Sequence, residues 1–169
     1  DKSINLIEDF DMVDFDLLEQ KKKFALFSKT SKFSWIEIKK DFVFVCSGFD
    51  ISGFIIRVEK NIYISVLSHN KKKLDPLNIH IHNNSFDAFF YLSTEKLDKD
   101  PNPPPKKNET WMDLPVTQAQ QDELNKCGNL QSMGFIRPQS RYEAACFLAF
   151  AYKFDSLRDI ILGNVLKVK

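Results

Sequence analysis

The spacing of apolar positions along the chain changes twice, and each change marks a different kind of element. Over residues 1–23, Ile7, Phe10, Val13 and Leu17 recur at helical spacing, and Asn5 with Glu8 three later has the form of a capping box. A short amphipathic helix is expected there. Its other face carries Asp9, Asp11, Asp14, Asp16 and Glu19, and Lys21, Lys22 and Lys23 follow, an order of charge that suits the helix dipole. Residues 24–97 then break into short runs rich in β-branched and aromatic side chains: KFSWIEI, DFVFVCSGF, GFIIRVE, NIYISVLS, PLNIHIHN and DAFFYLS. Asp, Asn, Gly, Ser and Lys punctuate them, which predicts strands joined by turns. Alternation supports this: Ile62, Ile64 and Val66 fall on one side of an extended chain, and Tyr63, Ser65 and Leu67 on the other.

Residues 98–116 open with the proline-rich DKDPNPPPKKNE, read as an extended surface connection without a regular ladder, and include Trp111-x-x-Leu114. From 117 to 169 the period returns to that of a helix. Thr117 with Gln120, and Ser140 with Glu143, are capping-box pairs, Gly128 is a stop signal, and Asp155 is the expected cap of a last helix. Leu157, Ile160, Ile161, Val165 and Leu166 form that helix's apolar stripe. The stretch around Ala144, Ala145, Phe147, Leu148, Phe150 and Ala151 is apolar nearly all round, so this middle helix should be buried. The predicted class is α+β: an antiparallel β-sandwich of six to seven strands, followed by a three-helix segment packed on it.

Composition narrows the function. A chain of 169 residues with 43% hydrophobic content and sixteen Phe can bury a core and is not a disordered polymer. A net charge of +1 supplies no global attraction to nucleic acid or membrane. Cys46, Cys127 and Cys146 are odd in number and lack C-x-x-C spacing, which predicts free thiols in a reducing compartment. With no apolar run near the roughly 20 residues a bilayer span needs and no secretory leader, the expected location is cytoplasm or nucleus. The phosphate-binding, nucleophile-elbow and zincin motifs are all missing, so neither an enzyme nor a cofactor is expected.

Two clusters still carry chemistry. His80 and His82 share one side of a strand and could meet a metal with a third ligand from His69 or Asp87, which gives the alternative of a metal-dependent hydrolase, but half-exposed strand histidines are the plainer reading, and no metal is assigned. Lys71, Lys72 and Lys73, with Lys39, Lys40, Lys106 and Lys107, could form a basic edge for single-stranded RNA, giving the alternative of an RNA-binding subunit in a ribonucleoprotein complex. Lysines at turns more often protect sheet edges.

The order FSW at 33–35, Glu37, DFVFV, IIRVEKNIYISVL, LNIHIH, FFYLSTEK and then Trp111-x-x-Leu114 resembles the CS domain. That β-sandwich is shared by co-chaperones of the ninety-kilodalton heat-shock chaperone and by dynein-associated nuclear distribution proteins. The resemblance covers about residues 30–117 and implies that Trp111 folds back onto the sheet as its closing anchor, its indole N–H on a backbone acceptor. It further implies a non-catalytic adaptor or scaffold subunit, with a protein partner such as that chaperone. In addition, LQSMGF at 130–135 resembles the Met-Gly-Phe loop of ubiquitin-associated domains, which would place a ubiquitin-binding patch at Met133, Gly134 and Phe135. The partner-binding set is therefore Phe10, Phe15 and Leu17 in the acidic segment, Trp111 and Leu114 at the seam, and Met133 and Phe135 in the helical part. Phe24, Phe27, Phe86 and Phe89 are candidate contacts for a homo-oligomer.

Overall fold

A computed structural model of the chain describes residues 15–168, with side chains at Lys22 and over 24–163. The sheet at its centre is a meander. Strands β1 (Ile36–Lys39), β2 (Val43–Ser47), β3 (Ile51–Glu59), β4 (Ile62–His69) and β5 (Ile79–His82) pair antiparallel in the order of the sequence. The register runs Glu37 to Phe44, Phe44 to Ile55, Ile55 to Ser65 and Ser65 to His80. Asp41 and Asn61 turn the chain with positive φ, 68° and 62°, a conformation that Asn and Asp tolerate better than most residues. Neither edge of this sheet joins a second one, so among the described residues there is one open sheet and no sandwich of sheets.

Helices cover both sides instead. β3 shows why: eight of its nine residues are buried, so at the middle of the sheet neither side meets water. On one side Phe54, Ile56, Val58, Ile64 and Val66 pack into a core with the C-terminal helices. These are α3 (Gln118–Asn125), α4 (Gly128–Ser132), α5 (Arg141–Ala151) and α6 (Phe154–Val168), where numbering leaves α1 and α2 for the other side. Thr117 and Gln120 exchange both bonds of a capping box, and Ser140 accepts from the Glu143 N–H, whereas Asp155, expected as a cap, stands inside the first turn of α6. Gly128, expected as a stop, instead opens α4, because α3 already ends at Asn125. As its all-round apolar sequence demands, α5 buries Tyr142, Ala144, Cys146, Phe147, Leu148 and Phe150.

On the second side lie α1 (Phe15–Thr30) and α2 (Ser85–Phe90), the latter running into a π-helical stretch at Tyr91–Leu97. α1 extends past the expected end at residue 23 because Phe24 and Phe27 continue its apolar spacing onto Phe89, with ring centroids 5.0 Å apart in both pairs. DAFFYLS, expected as a strand, is helical. Together with Ser85 just before it, its buried residues Ala88, Phe89, Leu92 and Ser93 form an i, i+3, i+4, i+7, i+8 series that only a helix can aim at one surface. Trp35 stands beneath this helix, its Nε1–H donating to Ser93 Oγ at 3.1 Å. Gly53 lets it approach: a Cβ there would lie 3.0 Å from Leu97 and 3.2 Å from Trp35. The capping box proposed at Asn5 and Glu8 lies outside the described residues.

The proline run is docked as well as extended. Pro104 is buried, its Cα 2.8 Å from where a Gly48 Cβ would stand, and Lys106 forms an isolated bridge with Phe33. Fixed in this way, it forms one wall of the groove described next.

Candidate functional site at the turn between β2 and β3

Gly48, Phe49 and Asp50 join β2 to β3 and project from the end of the sheet. The hairpin base is closed by Ser47 and Ser52, whose hydroxyls lie 2.9 Å apart. Asn70, just past β4, braces the tip from the side. Its Nδ2 donates to the carbonyls of Gly48 at 2.8 Å and Phe49 at 3.0 Å, its N–H donates to the Asp50 carbonyl at 2.9 Å, and its Oδ1 accepts from Ser52 at 2.7 Å. Beyond the tip, Asn102 of the proline run donates to the Asp50 carboxylate at 2.7 Å. With its backbone held at every residue, the turn still leaves the Phe49 ring 76% exposed.

Next to this tip is a groove of about 650 Å³, bounded by the turn, the docked prolines and α5. Trp111 and Tyr152 join Phe49 along it. Each of these two rings is steered by a carboxylate: Trp111 Nε1–H donates to Glu109 at 2.6 Å, and the Tyr152 hydroxyl donates to Glu123 at 3.2 Å. Partial burial and then Glu123 push the Tyr152 pKa up from its ordinary value, so the phenol stays a neutral donor. Lysines occupy the rim. Lys71 Nζ is 4.6 Å from the Phe49 ring centroid, and Lys153 Nζ donates to the carbonyls of His69 and Lys72, tying the lysine turn to the end of α5. Flat aromatic faces and side-chain amides within one concave surface, lined by Lys153 and Glu109 and with Lys71 beside Phe49, suit a ligand that is itself flat and polar at its edges and that turns its anionic groups to the lysines.

The residues singled out from sequence are scattered relative to this groove. Trp111 lines it, half-buried, from a 3₁₀ turn at Thr110–Asp113; it packs edge-on against Tyr142 of α5 at 5.9 Å, at the margin of the core that the sheet shares with the helices, and its indole N–H meets the Glu109 carboxylate and not a backbone acceptor. Leu114 is exposed close by in sequence. Phe135 is buried among Phe147, Phe150 and Phe154, and Met133 gives its carbonyl to Lys39 Nζ at 2.6 Å, so these two do not form an open patch. Phe10 lies outside the described residues, and of Phe15 and Leu17 only the backbone, in α1, is described. Phe24, Phe27 and Phe89 face inward, leaving Phe86 as the exposed member of that set.

The other chemistry-bearing residues stand apart. His80 and His82 share a strand side and both contact Tyr91, with His82 Nε2 2.8 Å from Ser65 Oγ. No group of three metal-binding side chains occurs among the described residues. Cys46 is fully buried beside the Tyr142 hydroxyl and its pKa is pushed up to about 12 by burial, which removes it as a nucleophile. Phe49, Asn70 and Tyr152 escaped sequence reasoning. A lone aromatic between Gly48 and Asp50 in a turn was the available signal for the first.

Residues 14–157 match the family described as the mitochondrial helicase Irc3, C-terminal domain. The chain belongs to this family. No curated protein and no solved structure matches it. The match overturns the CS-domain resemblance, which rested on strand runs that any tightly turned antiparallel meander contains. With it goes the co-chaperone-like adaptor, while the ubiquitin-binding, ribonucleoprotein and metal-dependent hydrolase alternatives gain no support from it; the expectation that the chain has nothing to do with an enzyme is corrected too, because the family is named for a helicase. The expected cytoplasmic or nuclear location is likewise corrected, since that helicase is a mitochondrial one.

Proposed function

We propose that this chain is an accessory C-terminal domain of a mitochondrial helicase, and that it holds single-stranded nucleic acid in the groove beside the β2–β3 turn. One observation carries the reading: Phe49, Trp111 and Tyr152 open onto the same groove, with lysines on its rim. Every base has a flat face, so stacking on such rings is worth about 1–3 kcal/mol per base without regard to sequence. Lys71, Lys72 and Lys73 are exposed beside the groove and can pair with the phosphates of a stacked strand. The near-zero net charge fits a domain that adds grip to a larger machine and does not coat nucleic acid by itself.

Fluorescence anisotropy with labelled DNA and RNA strands of one sequence tests this. Saturable binding is expected, about tenfold weaker for Tyr152→Ala and retained in Tyr152→Phe. Lys71→Ala should lower the salt dependence of binding. The absence of saturable binding, or indifference to both Tyr152→Ala and Lys71→Ala, would contradict the reading. The two strands show whether the groove distinguishes DNA from RNA.

A further inference from the structure

We infer that Glu109 makes the groove selective among bases: those with an exocyclic amino group are held at Trp111, and uracil and thymine, which present carbonyls there, are disfavoured. This rests on the reading of the groove as a strand site and adds which bases it takes.

Charge is divided along the groove. Glu109 is exposed, and among the described residues that line the groove it is the only carboxylate, as Lys153 is the only ammonium. Trp111, which Glu109 steers, packs on Tyr142 in the first turn of α5, whereas Lys153 follows the last turn, so roughly 15 Å of helix axis separates the two ends. Each phosphate of a strand carries a negative charge, which turns it toward Lys153 and Lys71 and away from Glu109. What reaches the Glu109 end is therefore a base.

The position of the carboxylate decides which part of the base it meets. Trp111 Nε1–H lies in the plane of its ring and donates to Glu109 at 2.6 Å, so the carboxylate stands at the edge of the indole and not over a face. A base stacked on the indole brings its own rim alongside. A carboxylate only accepts, and the bond from Trp111 does not exhaust its roughly four acceptor positions. Cytosine, adenine and guanine each offer an amino group at that rim. Uracil and thymine offer one N–H set between two carbonyls, whose oxygens repel the carboxylate. Amide donors that could serve those carbonyls are engaged in the turn: Asn70 Nδ2 donates to the Gly48 and Phe49 carbonyls, and Asn102 Nδ2 to Asp50.

Oligonucleotides of deoxycytidine and of deoxyuridine, equal in length, test this with the whole chain. The two bases differ only in an amino group or a carbonyl at one ring carbon and in the proton on the neighbouring nitrogen. Competition anisotropy at mildly alkaline pH, where cytosine is unprotonated, should show deoxycytidine preferred by about fivefold, the lower end expected of one base contact. Glu109→Gln keeps an acceptor for the Trp111 N–H and adds a donor for uracil. It should weaken deoxycytidine, strengthen deoxyuridine and bring their ratio close to one. Equal affinities in the wild type, a ratio unchanged by Glu109→Gln, or both oligonucleotides weakened by one factor, as a mere prop for Trp111 requires, would overturn the selectivity while leaving the strand groove standing. Failure to bind either oligonucleotide would overturn both.

Discussion

His82 shows how one side chain's surroundings become a pH response. It sits half-buried between β4 and Tyr91, and desolvation, then the neighbouring His80, lower its pKa from the ordinary value, with Asp87 and Glu95 opposing. The folded state therefore resists protonating His82 more than the unfolded chain does. Above the unfolded pKa of about 6.5 neither state holds the proton, and this residue contributes no pH dependence. As pH falls below that value the unfolded chain binds the proton first, so stability is lost on acidification. Urea denaturation midpoints measured between neutral pH and pH ~5 should fall for the wild type and fall less for His82→Asn. Equal slopes would show that the proton enters the folded state freely.

α2 is the element where local preference and tertiary demand disagree most. Aromatic residues favour strands, and DAFFYLS has the composition of one, yet Asn84 caps a helix there by accepting from the Asp87 N–H at 2.8 Å. The deciding signal was in the sequence as the spacing of Ala88, Phe89 and Leu92, outweighed by β propensity. Elements whose caps and period agree, such as α3 with its Thr117 and Gln120 box, were legible without the structure; so were the strands of the meander, though not the helices on both sides that make a second sheet unnecessary. Phe89 is the keystone of the second core, contacting Phe24, Phe27, Trp35 and Phe44. Phe89→Ala should cost about 3–5 kcal/mol in equilibrium unfolding, near the whole stability of many domains. A loss below about 1 kcal/mol would mean that α2 does not pack as described.

At the scale of the molecule, the sheet works as a central plate with a helical layer on each side, and the groove lies at one end, where β2–β3, the residue after β4, the proline run and α5 converge. That convergence explains which part of the site could be read from sequence. Trp111 and the lysines at 71–73 stand out by composition alone. Phe49, Asn70 and Tyr152 come from separate stretches: the antiparallel register of β2, β3 and β4 brings the first two together, and the packing of α5 on β2 brings Tyr152 to them. The family match names a helicase, and the groove supplies the means by which such a domain could hold a strand.

The chain has two tryptophans, and they report on different places: Trp35 is buried beneath α2, whereas Trp111 lines the groove. Intrinsic tryptophan fluorescence during titration with a single-stranded oligonucleotide therefore reads the groove in the unmodified protein. Saturable quenching that persists in Trp35→Phe and disappears in Trp111→Phe is the predicted result. An unchanged spectrum at oligonucleotide concentrations where anisotropy shows binding would place the strand elsewhere and contradict the account.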